Sequence, residues 1–282
     1  MADNGRLMGL LRVARGIEAG GHYNLSKLVW ALAYAEEIKL SGAAGIPRGA
    51  ALHQALEALI ADLKAEAAPP EIVSALERGL VGLRTEQPEI IPPVYVSRTC
   101  GDLYIGERPA QTACDDDPLD LREFRPHYYL EPLPVPQLLE ALRTFPATIT
   151  AILEGVTDDQ MTIPPAPEEW SVKELLAHLD VAQGLLLHRA QAILTEENPA
   201  VGGVSAWLLT SNTLNAREIF AHYAAVRAET LALLTPLKPE DWWRTARHSE
   251  FGVLTLQEHA SYFTRHERSH TRQMIQIVRA LT

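Results

Sequence analysis

Along residues 255–282, TLQEHASYFTRHERSHTRQMIQIVRALT, apolar and polar positions recur with a helical period. At about 100° per residue, His259, His266 and His270 fall within roughly 40° of one another, in line with Phe263, Met274 and Ile277. The histidines thus share the inward stripe. Arg265, Arg268, Arg272 and Arg279 fall on the other, wet side, and Glu267, about 100° from His266, is expected to be solvated. Three earlier stretches repeat the pattern. Residues 137–153 carry Leu138, Leu139, Leu142, Phe145, Ile149 and Ile152 on one stripe, with Pro146 expected to kink or split the helix. In 171–195, His178 lies beside Leu175, Leu179 and Leu185, while His188 is rotated by about 80° toward the surface. In 216–234, Ile219, Phe220, Tyr223, Val226, Thr230 and Leu233 point inward. Helix starts are signalled by Ser171 with Glu174 and by Thr255 with Glu258, both capping boxes, and by Trp170 with Leu175 as a hydrophobic staple. Between these helices, 200–214 reads as a loop holding Trp207, and 235–254 as a turn-rich connection. Four amphipathic helices joined by loops describe a bundle.

Upstream, residues 5–40 show helical periodicity broken at Gly20-Gly21, and 50–67 and 70–83 give two further helices, the last opening on Pro70. Residues 88–130 change character, with β-branched and aromatic residues interrupted by Gly and Pro, which predicts short strands and turns. The run EPLPVP at 131–136 is a proline-rich connector. The expected organisation is therefore mainly α: a helical region over 1–87, a small β ribbon over 88–130, a linker over 131–136 and a four-helix bundle over 137–282. Because the linker is short and stiff, the N-terminal helices are expected to pack on the bundle.

Composition narrows the function. The chain has 282 residues, 47% apolar, and a net charge of −11. Acidic residues exceed basic ones in both halves, so no basic arm for nucleic acid is present. The N-terminus lacks a signal-peptide layout and no apolar run approaches the ~18 residues a membrane helix needs, so a soluble cytoplasmic protein is expected. Glu18 with His22, His53, and Glu36 with Glu37 read as solvated helix positions rather than ligands.

The histidines change the picture most. His266 and His270, at i and i+4 on an inward face, can grip one metal ion, with a third ligand from another helix. Residues 137–282 resemble the DinB-like superfamily, which includes YfiT-type proteins and thiol-dependent transferases. The resemblance rests on EEWSVKELLAHL at 168–179, EENP at 196–199, LTPLKPEDWWRTARHSEFGVLTLQEH at 234–259 and RHERSHTRQ at 265–273. Metal-binding members of that family take one histidine from the second helix and two from the last, which map onto His178, His266 and His270. The resemblance implies a four-helix bundle with a divalent metal near one end, zinc or nickel by ligand type. His259 is then read as second shell or core, and His248 and Glu250 as candidates for the pocket rim.

The ribbon resembles, over about 40 residues, the rubredoxin-like ribbon of rubrerythrins. Its two knuckles would be Ser97–Gly101 and Cys114–Asp117, with Tyr104, Gly106 and Pro109 between. Each knuckle keeps one cysteine, too few thiolates for the iron site such ribbons carry. If the knuckles keep their shape, Cys100 and Cys114 can bond to one another or share a weak zinc with Asp117; free thiols are expected in a reducing compartment. No pair of Glu-x-x-His motifs is present, so no di-iron bundle is expected.

These features imply a metal-dependent enzyme that activates water or a low-molecular-weight thiol on a small-molecule substrate, a hydrolase or a thiol S-transferase. Bacillithiol or mycothiol is the thiol class the resemblance implies, and a homodimer follows from resemblance alone. The competing reading is a non-enzymatic metal-binding or stress-responsive interaction protein. No general base is visible in the sequence.

Overall fold

The computed structural model describes residues 2–45, 47, 49–85, 91–115, 117–124, 131–166, 169–202, 214–249 and 251–281. The chain divides into two compact units, Met1–Arg84 and Thr85–Thr282.

In the first unit, α1 (Ala2–Ala19) pairs with α2 (Tyr23–Ala44), followed by α3 (Gly49–Ala65) and α4 (Pro70–Thr85). Gly21 makes the α1–α2 turn with φ 79°, a conformation that a side chain would strain. Ile60, Val73 and Leu80 form a small core between α3 and α4, flanked by ion pairs Lys64–Glu77 and Arg84–Glu57. Glu18 is half-buried, and its carboxylate accepts the Trp30 indole N–H at 3.1 Å. Glu36 likewise faces Arg6 at 3.9 Å, its side chain 13% exposed.

The second unit opens with a three-stranded antiparallel ribbon, order β2-β1-β3, from β1 (Val94–Val96), β2 (Leu103–Ile105) and β3 (Arg122–Phe124). Its knuckle after β1 turns through Gly101 at φ 85°, with Ser97 N–H donating to the Asp102 carbonyl. The free thiols expected here are absent: Cys100 and Cys114 form a disulfide. Asp117 does not face them either. Its carboxylate caps a short 3-10 turn, accepting the Leu119 N–H at 2.8 Å, because a side-chain oxygen two residues ahead of a free N–H closes that turn locally.

The bundle follows: α5 (Val135–Ile152), α6 (Val172–Thr195), α7 (Ala216–Leu234) and α8 (Leu256–Ala280). Helix α6 packs on α7 and α8, and α5 packs on the same two helices from the other side. Two cores fill it, one around Phe145, Leu175, Tyr223 and Met274, the other around Leu138, Leu186, Trp242 and Phe263. Pro146 does not split α5, which runs unbroken through it. The connection 235–254 is more ordered than its turn signals suggest: β5 (Thr245–His248) and β6 (Gly252–Thr255) form a hairpin, with β4 (Ala200–Val201) parallel to β5. Trp207 and Glu250 lie outside the described residues. Among those described, no helix is long and apolar enough to cross a membrane.

Candidate metal centre

Two capping boxes set the helices that carry the histidines. Ser171 Oγ accepts the Glu174 N–H while the Glu174 carboxylate accepts the Ser171 N–H at 2.8 Å, and Thr255 and Glu258 repeat the exchange. Each box anchors the first turn of its helix. From there, helical pitch alone delivers His178 in α6 and His266 and His270 in α8 to their faces.

The packing of α6 on α8 brings the three together. His178 Nε2 lies 3.0 Å from His266 Nε2, and His270 Nε2 lies 3.3 Å from His266 Nε2. The three ring centroids are 4.8 to 4.9 Å apart, and the three ligand atoms lie within 4.8 Å of one another. One nitrogen of each ring therefore converges on a single point. His270 Nδ1 is 2.8 Å from Gln273 Oε1, and since an amide oxygen only accepts, the proton sits on Nδ1 and the Nε2 lone pair faces the other two rings.

The surroundings keep the rings neutral. Burial, then the neighbouring His270, pushes His178 down to about 4, and burial with His270 and His178 pushes His266 down to about 3. Burial also lowers His270, partly offset by its bond to Gln273. Neutral imidazoles are the form that donates to a metal. Among the described residues no carboxylate or thiol joins the cluster, which is a three-nitrogen set.

Two aromatic walls went unread in the sequence. Trp170, legible only as half of a staple with Leu175, also packs against His178 at 4.9 Å and His270 at 6.3 Å between ring centroids. Tyr262 lies parallel to His266 at 6.1 Å. A period of four along α8 could have flagged Tyr262; nothing in the sequence ties Trp170, which precedes the first turn of α6, to a ring eight residues on.

Glu267 is the main correction. It is 4% exposed rather than solvated, and its carboxylate meets the Arg227 guanidinium, at 3.1 Å through one of two contacts, and the Tyr223 hydroxyl at 3.0 Å. Arg227 also donates to Gln183 Oε1 at 2.6 Å and to the Leu142 carbonyl at 2.8 Å. Burial, the largest influence, would lower Arg227, but the charge and hydrogen bond of Glu267 together with Tyr223 outweigh it and the guanidinium stays charged. Periodicity placed Glu267 on the wet side because it assumes one packed face, whereas α8 is covered by α5 and α6 and its flank reaches Arg227 of α7. The basic face is also partly committed: Arg265 donates to the Glu131 carbonyl at 3.1 Å, and Arg268 to Thr144 Oγ1 at 2.8 Å over the Phe145 ring. Arg272 and Arg279 are exposed as expected.

The remaining histidines separate from the triad. His259 is 1% exposed and packs edge-on against Phe263 at 5.2 Å, with His248 at 6.4 Å. His248, expected at a pocket rim, is buried and stacks on Phe251 at 4.4 Å. His188 is exposed. His222 of α7, unread in the sequence, sits with Nδ1 2.7 Å from the Asp180 carboxylate.

Comparison with known proteins places these helices among relatives. The model of the DinB superfamily matches residues 141–274. YuaE of Bacillus subtilis (strain 168), an uncharacterized protein, is 26% identical over 141 residues, 44% of this chain and 87% of YuaE. YfiT of the same organism is 23% identical over 164 residues, 56% of this chain and 92% of YfiT. The solved structure of YfiT, described as a probable metal-dependent hydrolase with an unusual four-helix bundle topology, aligns with a TM-score of 0.49 at 21% identity, over 55% of this chain and 92% of that one. The crystal structure of the mycothiol-dependent maleylpyruvate isomerase aligns with a TM-score of 0.44 at 16% identity, over 52% of this chain and 63% of that one.

Proposed function

With residues 141–274 a DinB-like segment, we propose that His178, His266 and His270 hold one divalent metal ion, zinc or nickel, and that the site works on a small molecule as a hydrolase or a thiol S-transferase. The observation that carries the proposal is the convergence of one nitrogen from each of three neutral imidazoles within 4.8 Å, with no carboxylate or thiol in the cluster among the described residues. Ring nitrogens as close as 3.0 Å, with the His270 Nε2 lone pair turned toward the other two rings, fit a shared cation. YfiT's description as a probable metal-dependent hydrolase supports the same reading.

Three protein ligands leave room for water or substrate, as a catalytic site requires. His178, His266 and His270 would hold such an ion, which would supply Lewis acidity that makes a water or thiol nucleophilic near neutral pH. The chain's own residues supply the rest. Gln273 fixes the tautomer and ring angle of His270, while Trp170 and Tyr262 wall the rings and limit their rotation. Between His266 and His270, the buried Glu267–Arg227 pair ties that turn of α8 to α7 and α5, which holds the two ligands in register.

The test is metal content of protein purified without a histidine tag, followed by hydrolase assays and transferase assays with several low-molecular-weight thiols. Alanine at 178, 266 or 270 should remove the metal and the activity together, and His259→Ala should spare both. Unchanged metal in His266→Ala and His270→Ala, or an equal loss in His259→Ala, would overturn the assignment.

A further inference from the structure

The ribbon holds a second convergence of ligand atoms, separate from the histidines. Cys100, Cys114 and Asp102 each offer one ligand atom, and these atoms lie within 4.8 Å of one another. Two thiolates with zinc–sulfur bonds of about 2.3 Å and one carboxylate at about 2.0 to 2.2 Å would surround a zinc ion at such separations with small side-chain rotations.

Neighbouring groups build this arrangement. Ser97, 2% exposed, lies with Oγ 3.2 Å from Cys100 Sγ and 3.4 Å from Cys114 Sγ. Its oxygen accepts the N–H groups of Thr99 at 3.1 Å and Cys100 at 3.0 Å, which fills both lone pairs. The Ser97 hydroxyl is thus within hydrogen-bond distance of both sulfurs. The second cysteine is held as firmly: the Ala113 N–H donates to Tyr104 Oη at 3.0 Å, and Arg108, over the Tyr95 ring, donates to the Pro118 carbonyl at 2.6 Å and the Leu121 carbonyl at 3.1 Å. These bonds do not involve the sulfur–sulfur bond.

We propose that the ribbon is a redox-gated zinc site: closed as the Cys100–Cys114 disulfide, and open, when reduced, to one zinc ion held by the two thiolates, the Asp102 carboxylate and a water. Opening consumes two molecules of a low-molecular-weight thiol, which supply two electrons and two protons and leave as their own disulfide, while Cys100 and Cys114 become thiols. Zinc binding then displaces both thiol protons. Ser97 is a positioning residue, its hydroxyl donating to a thiolate and favouring the ionised form.

The experiment is zinc titration of the full chain, oxidised and after reduction with a phosphine, read as tightly held zinc per chain. Reduction should add one equivalent. Cys100→Ser should abolish that added equivalent, and Asp102→Asn should weaken it by about tenfold or more. Cobalt in place of zinc should give thiolate-to-metal absorption in the reduced chain only. Because the histidine centre binds independently of redox state, its failure would show as loss of the redox-independent equivalent. Failure of the ribbon site would show as equal zinc in both states, as a reduced cobalt form lacking thiolate absorption, or as an Asp102→Asn titration identical to the unsubstituted chain; any one of these overturns the proposal.

Discussion

Arg227 Nη1 donates to the Leu142 carbonyl at 2.8 Å, the carbonyl that Pro146, four residues on and lacking an N–H, leaves without its helical partner. The proline in α5 thus creates a buried acceptor, and an arginine from α7 fills it. The same guanidinium neutralises Glu267 of α8 and donates to Gln183 of α6, so one side chain of α7 joins all four helices.

Breaking that arrangement on one side should be costly. Arg227→Met leaves Glu267 buried without its counter-charge and should destabilise the chain by about 3 to 5 kcal/mol. The double variant Arg227→Met with Glu267→Leu removes both charges and should recover much of the loss. Chemical denaturation of the two variants measures the difference; equal losses would show that the pairing of charge is not what matters.

Gln273 hydrogen-bonds the His270 ring, so its removal should be felt at the proposed metal site. Gln273→Ala frees the His270 ring to change tautomer and should lower metal affinity by about 10- to 100-fold, with little change in melting temperature. Competition against a chromogenic chelator reads the affinity, and an unchanged value would exclude the orienting role.

Acid should release the metal late. With His178 lowered to about 4, His266 to about 3 and His270 also lowered by burial, protons compete for these lone pairs at lower pH than for exposed imidazoles, which would begin near 6.5. Metal affinity should therefore be lost at a lower pH than in a site of exposed imidazoles. A decline centred near pH 6.5 would mean that the rings are solvated.

Replacing His259 should affect stability and spare the proposed metal site. Burial, then Arg189 and His248, lower it to about 3, so between 6.5 and about 3 the unfolded chain binds a proton that the folded chain refuses. Its contribution is complete above pH 6.5 and is lost as pH falls through that window, on the order of 4 kcal/mol by the lower end. His259→Leu removes the titration, so denaturation midpoints measured against pH should fall less steeply than in the unsubstituted chain.

Several features were determined by the sequence itself, because their physics is local. A capping box is an exchange between residues three apart, so Ser171 with Glu174 and Thr255 with Glu258 fixed the starts of α6 and α8 before any packing was known. His266 and His270 share a face by helical pitch alone, and the inward stripe of Phe263, Met274 and Ile277 told which face it was. The third histidine was already less local: pitch put His178 inward, but its meeting with the other two came from family resemblance. That meeting at 3.0 Å is decided by how α6 lies against α8.

What only the tertiary structure decided concerns groups whose partners are remote along the chain. Glu267 sits at a polar position in the helical pattern, and its burial depends on Arg227, forty residues away, and on a carbonyl freed by Pro146 in a third helix. Cys100 and Cys114 are brought within bonding distance by two turns of the ribbon, and those same turns direct Asp102 toward the sulfurs and Asp117 away from them. Periodicity assigns each residue a direction from its own helix axis. It is silent on what stands there, and for a charged side chain that neighbour decides between solvent and a buried pair, since desolvation is tolerated only where an opposite charge and hydrogen bonds replace the water.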